Sequence, residues 1–186
     1  MGIPTLNIVC YTGGTCGHVL AAIIDSRGCE FTKTAVKMDP ARCRLNKPHT
    51  FSNDLEKTHY VHDMDLVYNS IPSHDLDYHI RADQRFITVV VNKFDTALWA
   101  AERFKGLHRP NVWEEMQKFC GAGSINDYAQ TLLDYSNMVR MHTTQTVQLE
   151  RILSGHAVDD LAEYVVSSDL DKEFYQEWLK LQNYAG

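Results

Sequence analysis

Apolar and polar positions change their spacing about halfway along this chain of 186 residues, from short apolar runs to a helical repeat. Near the N-terminus, the run Leu6-Asn7-Ile8-Val9-Cys10 meets the glycine-rich turn Thr12-Gly13-Gly14-Thr15-Cys16-Gly17. A helical pattern (Val19, Leu20, Ala22, Ile23) starts straight after it, which predicts a strand at 8–10 and a helix at 17–25. Residues 30–37 alternate as a second strand or hairpin arm, whereas 38–65 are polar and irregular, broken by Pro40, Asn46 and Pro48. A short helix is expected near 51–58, and 74–80 alternate as a short strand. Within 84–91, Phe86-Ile87-Thr88-Val89-Val90-Val91 is nearly continuous and β-branched, as suits a parallel strand covered on both faces.

After that strand the spacing is mainly helical. Leu98, Ala101 and Phe104 define a helix at 95–104, and Trp113, Met116 and Phe119 define one at 112–120. Tyr128, Leu132, Tyr135 and Met138 share one face of a long amphipathic helix at 126–142. Residues 146–153 read equally as a late strand, and 157–166 and 171–183 close the chain as helices, the last capped by Asp169 or Asp171. Trp99, Trp113 and Trp178 fall at core spacing. No repeat or linker divides the chain, so the expectation is one α/β domain over 1–186, a parallel β-sheet flanked by helices with a mainly helical C-terminal half.

The formal net charge of −6 argues against a nucleic-acid partner or an anionic membrane surface. No apolar run reaches the roughly 18 residues of a membrane span. The first apolar run reads as a strand without a basic segment before it. Cys10, Cys16, Cys29, Cys43 and Cys120 form no CxxC pair, which favours reduced thiols and a cytoplasmic setting. Cys10, Cys16 and His18 lack the spacing of a metal site, so no metal is expected.

The turn between the first strand and helix is the main candidate for chemistry. Main-chain N–H groups at such a turn present a site for an anion, and phosphate or sulfate is the expected occupant. Aligned on Gly17, a GxxxxGK[ST] loop would place a lysine at His18 and a hydroxyl at Val19, so nucleoside triphosphate hydrolysis and kinase chemistry are disfavoured. A tight turn that needs glycine for packing is the plain alternative.

Four segments in order resemble the sulfotransferases, which bind the sulfuryl donor PAPS on a P-loop-type parallel sheet. Thr12-Gly13-Gly14-Thr15-Cys16-Gly17 is similar to the family's loop around the donor 5′-phosphosulfate, and Pro72-Ser73-His74 falls where the family places its general-base histidine. The strand, Val91-Asn92-Lys93-Phe94-Asp95 and the following helix resemble the 3′-phosphate site, and Pro110-Asn111-Val112-Trp113-Glu114-Glu115-Met116 resembles a later family segment. The resemblance implies sulfuryl transfer from PAPS to the hydroxyl of a small molecule or glycan. It assigns His74 as base, Thr12, Gly13, Gly14, Thr15, Cys16, Gly17 and His18 to the donor loop, and Asn92 and Lys93 to the second anion site. The acceptor would be chosen by variable segments such as 38–65.

The departures from the family pattern remove positive charge and donors. Thr12, Pro72 and Val91 stand where the family has basic residues, and Trp99 replaces a phosphate-binding serine; Lys93, Arg81 and Arg85 are the candidates to compensate. Those losses motivate a second reading, a protein of the same fold that has lost catalysis and serves as a binding or scaffold protein. His62-Asp63 and His74-Asp75 are candidate acid–base dyads by sequence, but neighbours in a strand point to opposite faces, so His74 and Asp75 are not expected to meet. The acidic runs Asp159-Asp160 and 169–173 are expected as solvated helix starts.

Overall fold

The computed structural model describes residues 6–33, 39–45, 70–73, 84–142, 145–166 and 170–182. Strands β1 (Leu6–Cys10), β4 (Ser70–Ser73), β5 (Gln84–Val90) and β6 (Thr146–Gln148) form one sheet in the order β4-β1-β5-β6, with every pairing parallel. Strands β2 (Cys29–Lys33) and β3 (Ala41–Leu45) make a separate antiparallel pair. Helices α1 (Gly17–Ile24), α2 (Phe94–Leu107), α3 (Pro110–Cys120), α4 (Ile125–Arg140), α5 (Leu149–Leu153), α6 (Ala157–Leu161) and α7 (Lys172–Leu181) complete the described chain. The molecule is thus α/β, with a parallel sheet flanked by helices and a C-terminal half that is mainly helical. None of the described helices is long and apolar enough to cross a membrane.

Burial explains the apolar runs. Ile8, Val9 and Cys10 of β1 and Ile87, Val89 and Val90 of β5 are buried as inner strands of a sheet covered on both faces. Pro72 sits in β4, the edge strand of the sheet among the described residues, a position that tolerates proline better than an inner strand. Helix α1 packs on β1, β3, β4 and α7, and all its residues except His18 are buried. Asp171 fastens α7 to α1: its N–H donates to the Ile23 carbonyl (2.7 Å), and its carboxylate accepts from Ser26 Oγ (2.5 Å) and from Phe174 N–H (2.9 Å). That carboxylate is the expected N-cap of the last helix; Asp169 lies outside the described residues.

Several expectations need correction. Residues 41–45, expected to be irregular, form β3, because they pair with β2 from Cys29↔Leu45 to Lys33↔Ala41. The ambiguous segment 146–153 divides into three residues of strand and the helix α5, and the helix expected over 157–166 ends at Leu161. Phe119 and Met138, expected on buried faces, are exposed: α3 buries Trp113, and the last turns of α4 bury Ser136 and Val139 instead. Of the acidic pair at 159–160, only Asp159 is solvated; Asp160 holds Arg151 at 2.7 Å. The expected helix near 51–58 and strand at 74–80 lie outside the described residues.

Beneath α7, the buried Tyr175 hydroxyl donates to the Ile152 carbonyl (2.6 Å) and accepts from Ala157 N–H (3.2 Å), tying α7 to the start of α6. Tyr175→Phe orphans two buried main-chain groups and is expected to lower stability by about 1–3 kcal/mol, read from urea unfolding. An unchanged midpoint would contradict this role for the hydroxyl.

Candidate functional site

Because β1 and β5 run parallel, the segments that follow them leave the same edge of the sheet, the edge at which α/β proteins place ligands. The turn after β1 is held by its own hydrogen bonds: Thr15 N–H and Thr15 Oγ1 both donate to the Thr12 carbonyl, at 3.2 and 2.8 Å. Gly14 (φ +92°) and Cys16 (φ +61°) are left-handed, while Gly13, Thr15 and Gly17 between and beside them are not. Such alternation of backbone handedness turns successive N–H groups toward a common concavity. Among the described residues no partner is found for the N–H groups of Gly13, Gly14, Cys16 and Gly17. Left-handed backbone at a non-glycine residue costs on the order of 1–2 kcal/mol, so the shape is imposed by its surroundings.

Those surroundings are α2 and Tyr11. A methyl group on Gly14 would overlap the Ala100 carbonyl, one on Gly13 the Phe104 ring, and one on Gly17 the Tyr11 ring. The loop carbonyls are held too. Arg103 donates to Gly14 O (3.1 Å) and the Tyr128 hydroxyl to Gly13 O (3.3 Å). Arg103 also pairs with the buried Asp39 at 2.9 Å, which anchors the segment before β3 to α2. Burial pushes the Asp39 carboxyl upward against the opposing pull of Arg103. The Cys16 thiol is pushed up to about 11, chiefly by burial, so it is neutral at pH 7 and no thiolate nucleophile.

The loop borders a cleft of about 680 Å³ whose other walls come from β3, α2, α3 and α4. Thr12, Gly13, Gly14, Cys16, Gly17 and His18 all line it. Thr15 does not, since its fully buried side chain turns back into the loop. His18 is half-buried, edge-on to Tyr11 with ring centroids 5.2 Å apart. Four further residues in the lining were not expected from the sequence: Arg42, Arg103, His108 and Tyr128. Arg103 stands out in retrospect as the one cation on the buried face Trp99, Ala100, Phe104 of α2; Arg42 lies in a stretch with no readable pattern.

Asn92 and Lys93 lie apart from the cleft lining. Their N–H groups donate to one oxygen of Glu150, each at 2.8 Å, so the chain's own carboxylate occupies the start of α2. The Asn92 side chain accepts from Arg140. Arg85 donates to the Tyr164 carbonyl from the first half of β5, away from the loop. His74 and Arg81 lie outside the described residues. No protein-family model, curated protein or solved structure matches the chain.

His108 lies against Phe104, with ring centroids 4.4 Å apart. Burial, and then the guanidinium groups of Arg42 and Arg103, hold its pKa below the usual value of 6.5. The unfolded chain therefore takes up this proton at higher pH than the folded chain. Its contribution to stability is complete above about pH 6.5 and is lost as pH falls through the folded value. His108→Asn is expected to lose less stability than the parent between pH 7 and pH 5 in urea unfolding; equal losses would refute the assignment. Separately, Gly14→Ala combines a left-handed backbone with a clash against α2 and is expected to cost about 2 kcal/mol or more on the same measure.

Proposed function

We propose that this chain is a P-loop-type, sulfotransferase-like domain that binds the anionic end of a small ligand at Gly13–Gly17 and acts as a binding protein. The observation that carries this reading is the loop itself. Its backbone alternates in handedness, four of its N–H groups lack partners among the described residues, and it borders a cleft. The order β4-β1-β5-β6, with the glycine turn leading from an inner strand into α1, supports the P-loop assignment. A binding role is favoured over PAPS-dependent transfer by three features: no lysine in the loop, a charge on Arg103 already engaged by Asp39, and Glu150 at the start of α2.

Sulfuryl transfer from PAPS to an acceptor hydroxyl is the second reading, and His108 is what favours it. A neutral imidazole beside the loop suits a base that removes the acceptor proton while the hydroxyl oxygen attacks sulfur and the donor phosphate departs. His108 is then an alternative to His74, the base the resemblance implies, and the acceptor is a small molecule or glycan.

The test is an amide NMR titration with sodium sulfate. Saturable shifts at Gly13, Gly14, Cys16 and Gly17 are the expected result, and their absence at tens of millimolar sulfate, a concentration chosen for weak anion binding, would defeat the reading. Turnover of PAPS with a phenol, abolished by His74→Ala or His108→Ala, would replace the binding reading with the catalytic one.

A further inference from the structure

The cleft also constrains what is attached to the anion. At about 680 Å³ it matches a small organic molecule rather than a bare ion. Beyond the loop, its lining is dominated by Leu107, Val112, Met116, Phe119 and Leu132 from α2, α3 and α4. Phe119 is 89% exposed, an aromatic ring left at the cleft with little protein cover.

The polar groups favour a single anionic group. Among the described residues no carboxylate lines the cleft, although the chain carries a net charge of −6. Arg42 lines the cleft and shares the field of Asp39 with Arg103, whose side chain is about nine-tenths buried and has no partner for Nε among the described residues. A second phosphate finds no place at the start of α2, where Glu150 holds both N–H groups.

We infer that the natural ligand is a phosphate or sulfate monoester of an apolar, ring-sized alcohol, with its ester group at the loop and Arg42 and its body against Met116 and Phe119. This rests on the anion-binding reading of the loop and adds the class of ligand. A doubly phosphorylated nucleotide is disfavoured because Glu150 already holds the N–H groups at the start of α2.

Calorimetry on the full chain with 1-naphthyl phosphate, 1-naphthyl sulfate, 1-naphthol, inorganic sulfate and adenosine 3′,5′-bisphosphate tests it. At least one naphthyl ester is expected to bind about tenfold or more tighter than each of the other three, from the added apolar burial combined with the anion. The preferred ester distinguishes a phosphate from a sulfate ligand. Phe119→Ser, at an exposed position that does not threaten folding, removes apolar surface without adding charge and is expected to weaken the naphthyl esters several-fold more than inorganic sulfate; Met116→Gln is a second probe of the same wall. Sulfate binding without a naphthyl advantage overturns this inference and leaves the loop reading intact. Naphthol binding as tightly as the esters overturns it as well, and no response to any anion overturns the loop reading itself.

Discussion

The close approach of α2 to the glycine turn is the contact on which the site depends. Gly13 and Gly14 touch Phe104 and Ala100 so closely that no side chain fits between them. Alanines at 97, 100 and 101 give α2 the narrow surface this requires. The result is a loop held from outside in a shape it would not choose alone, with Cys16 left-handed and its neighbours not. Preorganisation of this kind lowers what a ligand must spend on ordering the backbone.

Electrostatics then separates this chain from a site built for several charges. Arg103 spends its hydrogen bonds on Gly14 O and Asp39, so it shapes the loop and the β3 side of the cleft more than it supplies free charge. A buried pair of that sort is weak support for stability, yet losing one partner would strand the other. At the start of α2, Glu150 supplies a carboxylate where an incoming anion would otherwise meet two N–H groups. Four N–H groups of the turn are left without partners among the described residues, and those at the start of α2 are filled from within.

The strongest periodic signals were legible in the sequence. The runs of β1 and β5, the glycine turn and helices α1, α2, α3, α4 and α7 were expected close to where they fall, because each carries an unbroken apolar pattern. Strand β3 was not, since Ala41-Arg42-Cys43-Arg44-Leu45 gains its order from pairing with β2, a constraint absent from its local pattern. At the site, local sequence located the loop, but not Thr15 turning inward or Arg42, Arg103 and His108 converging on the cleft. Those residues come from β3 and α2, far from the loop in the chain, so only the tertiary fold brings them together. The resemblance located Asn92 and Lys93 at the sheet edge without revealing Glu150, which arrives from after β6.

The central claim is that the turn after β1 encloses an anion through its own backbone. A crystal structure grown with tungstate, whose metal scatters anomalously, tests it directly. The account predicts an anomalous peak whose oxygens lie about 2.7–3.2 Å from the main-chain nitrogens of Gly13, Gly14, Cys16 and Gly17. A cleft holding only water, with tungstate bound elsewhere, would contradict it.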